Sequence, residues 1–294
     1  MKIIYETEID GSKIKILSRN LDEILKEQKQ ENNFKGQKIF HPFKTKKINQ
    51  PYSFKDKRGT IKNRTRTCLV YDNSFESPEI QNLIKEAREI QFKHDGACGY
   101  MYYDSKEKYV PYTRYDIKKD KKTGLFKEAK PEWIPCQDKP DDPEATHYPH
   151  FRSCFEENND YKWQLEAFKK FCNSDQFTKH SKSFTCEFMG RKFNYKKSDP
   201  VDDDASIVPH GSIILEIPKE LRTYDGFLKI FKELPFIEGF VVYCNNNSIF
   251  KIRREMYVDN DGKKLEWGNY DFTNSQFKKI VESFSGFSDS VAIK

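Results

Sequence analysis

Residues 92–116 read FKHDGACGYMYYDSKEKYVPYTRYD, and this stretch decides what kind of fold the chain can adopt. Two aromatic-rich runs, 99–103 and 109–115, flank the polar segment DSKEK at 104–108. Aromatic side chains suit a pleated, half-buried surface, so the pattern predicts two antiparallel strands joined by a turn. With the runs paired, Arg114 on the return strand lies near the Lys93 end of the hairpin. The KKDKKTG that follows reads as a solvated turn.

Outward from this hairpin the chain alternates short strands with a few helices. Residues 1–18 alternate through Ile3, Tyr5, Ile14 and Ile16 and predict a hairpin turning at Asp10-Gly11. Helical spacing marks residues 21–29. Residues 32–66 are basic and broken by His41-Pro42 and Gln50-Pro51, which predicts an irregular, exposed region. A helix is expected over 78–90, with Ser77 as its cap and Pro78 in its first position. Residues 138–160, acidic and proline-bearing, read as a surface excursion. Helices are expected over 161–171, 223–233 and 273–284. Strands are expected at 184–188, 212–217, 239–243 and 248–253. The class is therefore α+β with antiparallel hairpins, without alternating strand–helix units.

Composition sets the outer limits. Of 294 residues only 36% are hydrophobic, but 24 Phe and 16 Tyr can fill a core with few positions. The formal charge is +6. Residues 1–66 hold 17 Lys or Arg against 8 Asp or Glu, a net of +9, so the rest sums to −3. A basic N-terminal region (1–66), packed beside a body (67–294), is the distribution expected of a protein that steers a polyanion to one side. Seven widely spaced cysteines without a CxxC pair argue against a disulfide framework and a structural zinc site. With no apolar signal or spanning segment, the expectation is a soluble intracellular protein, cytoplasmic or nuclear.

Six positions carry chemistry. Lys93, in Lys93-His94-Asp95-Gly96, can act as a nucleophile once it loses its proton, and Gly96 leaves room for a ligand. Arg114 offers a planar donor fork for a phosphate or a ribose. Glu187 in FTCEFMG and Glu238 in FIEGFVVY lie among apolar strand residues, where a carboxylate is ordinarily paired or functional. Lys251 and Arg253 alternate on one strand and so share a face, as a polyphosphate clamp would require.

The order KxDG, Arg, a Glu-bearing strand with Gly190, an EG strand and a KxR strand resembles the covalent nucleotidyltransferase superfamily of DNA ligases, RNA ligases and mRNA capping enzymes. A closer resemblance, over roughly residues 85–257, is to the vertebrate-type 5′-to-3′ RNA ligase 1 family and its homologues. The stretches EWIPC (132–136), IVPHG (207–211) and IEGFVVY (237–243) carry it. The resemblance implies a nucleotidyltransferase (adenylation) fold of antiparallel sheets flanked by helices. No C-terminal OB domain is expected, since only 41 residues follow Arg253.

By the same resemblance Lys93 captures AMP from ATP, and Asp95, Glu238 and Lys251 serve catalysis. Phe92, Gly96, Arg114, Glu187 and Arg253 join Lys93, Glu238 and Lys251 in holding the nucleotide. Glu187 and Glu238 hold Mg²⁺, with Mn²⁺ as a substitute, and the partner is RNA with 5′-phosphate and 3′-hydroxyl ends. Arginine at 253, where the family pattern has lysine, keeps the charge and changes the shape. The rivals are a capping-type guanylyltransferase, a DNA ligase and a non-catalytic RNA-binding module. Aromatics between cations in YVPYTRYDIKK suit the last of these.

Overall fold

The structure, a computed structural model, describes residues 1–27, 36, 38–106, 108–157, 160–174, 180–190, 192–193, 205–259 and 261–265. It is an α+β assembly in which every pairing between named strands is antiparallel. The first six-stranded sheet orders β1 (Lys2–Ile9), β2 (Ser12–Ser18), β12 (Ile213–Glu216), β5 (Glu89–Lys93), β13 (Gly239–Tyr243) and β14 (Ile249–Arg253). The second orders β11 (Ser206–Pro209), β10 (Phe184–Met189), β6 (Ala97–Tyr103), β7 (Tyr109–Lys118), β9 (His147–Ser153) and β8 (Ile134–Pro135). A separate two-stranded ribbon pairs β3 (Phe43–Lys55) with β4 (Ile61–Phe75).

Period-two alternation explains how the first sheet divides its faces. Ile90 and Phe92 on β5, Phe240 and Val242 on β13, and Phe250 and Ile252 on β14 are all buried. They pack with Phe227, Ile230 and Phe231 of α4 (Tyr224–Glu233) and Ile84 of α2 (Pro78–Lys85) in one core. The second sheet forms its own core from Met101, Phe184, Cys186 and Phe188. Leu21 and Leu25 of α1 (Leu21–Glu27) and Ala167 and Phe171 of α3 (Lys162–Cys172) join it. The predicted Asp10-Gly11 turn forms with positive φ at both residues, 53° and 79°, as a tight hairpin requires. Ser77 caps α2 by accepting from the Ile80 N–H at 3.3 Å, and Thr223 caps α4 by accepting from the Gly226 N–H at 3.0 Å.

Four expectations need correction. Most of residues 32–66 is regular: β3 and β4 make a long ribbon where an irregular region was expected. Cations and polar residues interleave with the few apolar ones, so no clean hydrophobic alternation betrays the strands, and Pro51 fits because a two-stranded ribbon leaves each strand one unpaired edge. The helix expected over 78–90 ends at Lys85, and Ile90 and Phe92 alternate as strand β5 instead. The excursion expected over 138–160 contains β9, with Pro149, His150 and Phe151 buried. The boundary between 66 and 67 falls inside β4, and β2 pairs with β12 within the first sheet. The helix expected over 273–284, the end of the 21–29 helix and the expected absence of an OB domain lie outside the described residues.

Two buried arginines fix the frame. Arg19, 4% exposed, donates from Nη1 and Nη2 to Glu89 at 2.8 Å each and from Nε to the Gly211 carbonyl at 2.7 Å. Arg254, 2% exposed, donates to the carbonyls of Phe231, Leu234 and Ile237 at 2.6, 2.5 and 2.8 Å. It thereby ties the end of β14 to the C-terminus of α4, where a cation also complements the helix dipole. Replacing Arg254 with Met removes three charge-assisted hydrogen bonds from buried carbonyls and should cost roughly 3 kcal/mol of stability. Guanidinium denaturation reads this as a lower midpoint; an unchanged midpoint would contradict it.

Candidate functional site

The faces of β5, β13 and β14 turned away from the core line a cleft of about 350 Å³, within the range of small-molecule pockets. In register, Lys93 stands across from Gly239, and Gly239 across from Arg253; Gln91, Val241 and Lys251 form the next row. Gly239 therefore sits between two long cationic side chains. A Cβ there would run into the Ile252 carbonyl oxygen and come within 3.3 Å of Arg253 Cα. The second sheet supplies the facing wall through Cys98, Arg114 and Glu187.

The chain passes from one sheet to the other in three residues, His94, Asp95 and Gly96, between β5 and β6. His94 is buried at the crossing, its ring centroid 5.4 Å from that of Phe92, and burial lowers its pKa to about 3, which keeps it neutral. A Cβ on Gly96 would collide with the Phe188 carbonyl oxygen and lie 2.9 Å from Glu187 Cγ, so only glycine lets the two sheets approach here.

At the floor of the cleft Lys93 Nζ donates to both oxygens of Glu238, at 2.9 and 2.6 Å. Glu238 is 4% exposed. Burial pushes its pKa up, the Lys93 ammonium opposes that, and the Asp95 charge adds to the rise. For Lys93 burial works against the charged form, but Glu238 and then Glu187 outweigh it, so its pKa lies above the ordinary lysine value. The resting amine is thus an ammonium held by a carboxylate that is itself inclined to take a proton. That pair has both partners a nucleophilic lysine needs, with the proton acceptor already in contact.

Around this pair the charge is positive. Arg253 Nη2 lies 3.5 Å from Glu238 and 2.5 Å from Glu255. Burial, together with the nearby cations Arg253, Lys93, Arg114 and Lys38, lowers the pKa of Lys251 to about 8. Arg114, the residue after the Thr113 that pairs with Gly99, is braced by Asp116 at 3.0 Å. Such crowding of cations costs free energy without a polyanion and favours one.

Glu187 meets His210 Nε2 at 3.1 Å. Cys98, Glu187 and His210 each bring one donor atom within 4.8 Å of the others, the grouping of metal-ligating type among the described residues. A thiol, carboxylate and imidazole together suit zinc-like ions better than Mg²⁺, which asks for oxygen donors. Burial first, then the Glu187 charge, raises the pKa of the Cys98 thiol, which is protonated as the site stands.

The cleft lining includes Phe92, Lys93, Asp95, Gly96, Arg114, Glu187, Glu238, Lys251 and Arg253, so every site residue expected from the sequence reaches it. The Phe92 side chain belongs to the core, 5% exposed. Sequence reasoning missed Lys38, Cys98 and His210 as lining residues. His210 stands in IVPHG, a segment noted only for its resemblance, and Lys38 gave no signal because it lies in a stretch without periodicity. Lys38 arrives because segment 38–40 runs along β14, with the Lys251 N–H donating to the Phe40 carbonyl at 2.9 Å.

Inorganic tripolyphosphate should therefore raise the melting temperature of the protein. Lys251 is an ammonium below its pKa of about 8 and neutral above it. The stabilisation should accordingly shrink as the pH goes from about 7 to about 9, and Lys251→Gln should remove that dependence. A wild-type shift equal at both pH values would contradict the assignment. Compared with family models, curated proteins and solved structures, the chain matches none.

Proposed function

We propose that the protein is an ATP-dependent RNA ligase of the covalent nucleotidyltransferase type, with Lys93 as the residue that carries AMP. The observation that supports it most is the Lys93–Glu238 pair at the floor of a cleft walled by Lys251, Arg253 and Arg114. A lysine poised on a base, facing crowded cations, suits attack on a nucleotide phosphate better than binding alone. On this reading the two antiparallel sheets around the cleft are an adenylation fold. RNA ends are the substrate, and the work is done in a reducing, intracellular setting.

The chemistry runs in three steps. The Lys93 amine, its proton taken by Glu238, forms an N–P bond to the α-phosphorus of ATP as the bond to the β-phosphate oxygen breaks. Pyrophosphate leaves, its charge offset by Lys251 and Arg253. The 5′-phosphate of an RNA then attacks the same phosphorus, the N–P bond breaks, and AMP moves to the RNA as a 5′–5′ pyrophosphate. A 3′-hydroxyl attacks the RNA 5′-phosphorus, forming the new phosphodiester and releasing AMP. Arg114, in the facing wall, positions the 5′-phosphate or the ribose.

Mg²⁺, or Mn²⁺ in its place, belongs to this chemistry, and Glu187 and Glu238 are the oxygen donors that would hold it. Of the two Glu187 fits better, because Lys93 engages both oxygens of Glu238 whereas His210 meets Oε2 of Glu187. Bound there, the ion would offset charge on the phosphates.

Incubation with α-labelled ATP should leave acid-labile, base-stable label on the protein, absent from Lys93→Ala. Glu238→Gln should slow labelling by about 100-fold or more, the usual effect of losing a general base. Because the Lys93 pKa is raised, the reactive amine grows more abundant with pH, and the labelling rate should climb from about pH 6 to about pH 9. Unchanged label in Lys93→Ala would overturn the proposal, and label from GTP in place of ATP would move it to a guanylyltransferase.

A further inference from the structure

The ribbon β3–β4 carries more positive charge than the protein as a whole. Residues 43–75 hold nine Lys or Arg and two Asp, a net of +7 against +6 for the full chain. Its base is anchored by Phe43, Val70 and Tyr71, each at most 1% exposed. Beyond that base residues 61–67 are all exposed, and among the named strands β3 and β4 pair only with each other.

Register divides the outer ribbon into two unlike faces. Gln50, Tyr52 and Phe54 stand across from Arg66, Arg64 and Lys62, and cross-strand partners project to the same side. The intervening pairs, Asn49 with Thr67, Pro51 with Thr65 and Ser53 with Asn63, occupy the other. Side-chain contacts agree with this division. Thr67 donates to Asn49 at 3.0 Å and Ser53 to Asn63 at 2.6 Å on the neutral face. On the other, the rings of Tyr52 and Phe54 lie 5.9 Å apart at 26°, with Arg66 Cζ 5.4 Å from the Tyr52 ring and Arg64 Cζ 5.0 Å from the Phe54 ring. One face is thus cationic and aromatic, and the other is neutral and polar.

We propose that the face bearing Tyr52, Phe54, Lys62, Arg64 and Arg66 binds unpaired RNA, stacking bases on the two rings and phosphates against the three cations. The choice of RNA over DNA rests on the ligase reading above. The choice of an unpaired strand rests on the rings, since a duplex hides the base faces that a ring can stack on. Side chains at i and i+2 repeat about every 7 Å along a strand, a spacing that an extended polynucleotide can follow. Each guanidinium now over a ring can turn to a phosphate when a base takes its place. Lys55, Lys57 and Arg58 at the tip add to the attraction without belonging to that face.

The test uses the full chain without ATP, so that its outcome is independent of whether Lys93 is labelled. Fluorescence anisotropy follows binding of a fluorescein-tagged oligouridylate about 12 nucleotides long. The double variant Tyr52→Ala/Phe54→Ala should bind about 30-fold more weakly or worse, the effect of losing two stacked bases. The triple variant Lys62→Gln/Arg64→Gln/Arg66→Gln should lower the slope of log affinity against log salt by about 2. Ser53→Ala/Thr65→Ala, on the neutral face, should bind as wild type does. Should the double variant fail to fold, the exposed triple variant decides alone. Wild-type affinity in the variant so tested, or tighter wild-type binding to the same length of duplex, would overturn the proposal; weak binding of the DNA analogue supports the choice of RNA.

Discussion

The molecule is organised around a carboxylate that it holds away from bulk water and the half-buried ammonium paired with it. Glu238 is almost fully enclosed, and a carboxylate in that position is tolerated only with a cation in contact. Lys93 supplies it through both oxygens, and Arg253 lies close by. The pair forms because β5 and β13 are antiparallel neighbours in a register that sets Lys93 opposite Gly239, one residue from Glu238. A slip of one residue would send Lys93 into the hydrophobic core and Phe92 into the cleft. The alternation of Ile90 and Phe92 against Gln91 and Lys93 is what forbids that slip.

Other parts of the structure keep this register in place. Arg254 holds the end of β14 to α4, so the strand carrying Lys251 and Arg253 cannot slide along β13 without abandoning three carbonyls. Arg19 does the corresponding work on the far side of β5 by gripping Glu89 and the Gly211 carbonyl. Both arginines are structural, and their rigidity is what lets the cleft cations remain crowded. A looser frame would relieve the burial, and the repulsion added to it, that lower the Lys251 pKa, and would weaken the attraction for polyanions.

Much of this was legible in the sequence where apolar and polar residues alternate. The strands containing Tyr100 and Val241 stand out as aromatic-rich and apolar runs, those containing Cys186 and Lys251 by period two, and the shared face of Lys251 and Arg253 follows from the last. The Arg114 position could be read from the length of the hairpin turn. What could not be read was the ribbon from Phe43 to Phe75, since its two faces differ in charge and aromaticity rather than in hydropathy. The helix–strand break after Lys85 was hidden because Ile84, Ala87 and Ile90 satisfy a helical spacing as well as the observed helix, turn and strand. Cys98 and His210 are distant from Glu187 in sequence, and strand pairing within the second sheet brings them beside it: Cys98 lies across from Glu187 on β6, and His210 follows β11 on the other side of β10.

The short crossing at His94–Gly96 has a mechanical consequence. A second passage between the sheets, residues 210–212 between β11 and β12, lies beside it: a Cβ on Gly211 would sit 3.2 Å from Gln91 Nε2 and 2.8 Å from Arg19 Nη2. The two sheets are therefore stitched together along one margin and cannot spread apart there. Segment 38–40 ties the sheets a second time, the Lys38 N–H donating to Gln137 beyond β8 at 3.0 Å and the Phe40 carbonyl accepting from the Lys251 N–H on β14 at 2.9 Å, so a bulky guest cannot enter by hinging about residues 94–96 and 210–212 without breaking these bonds.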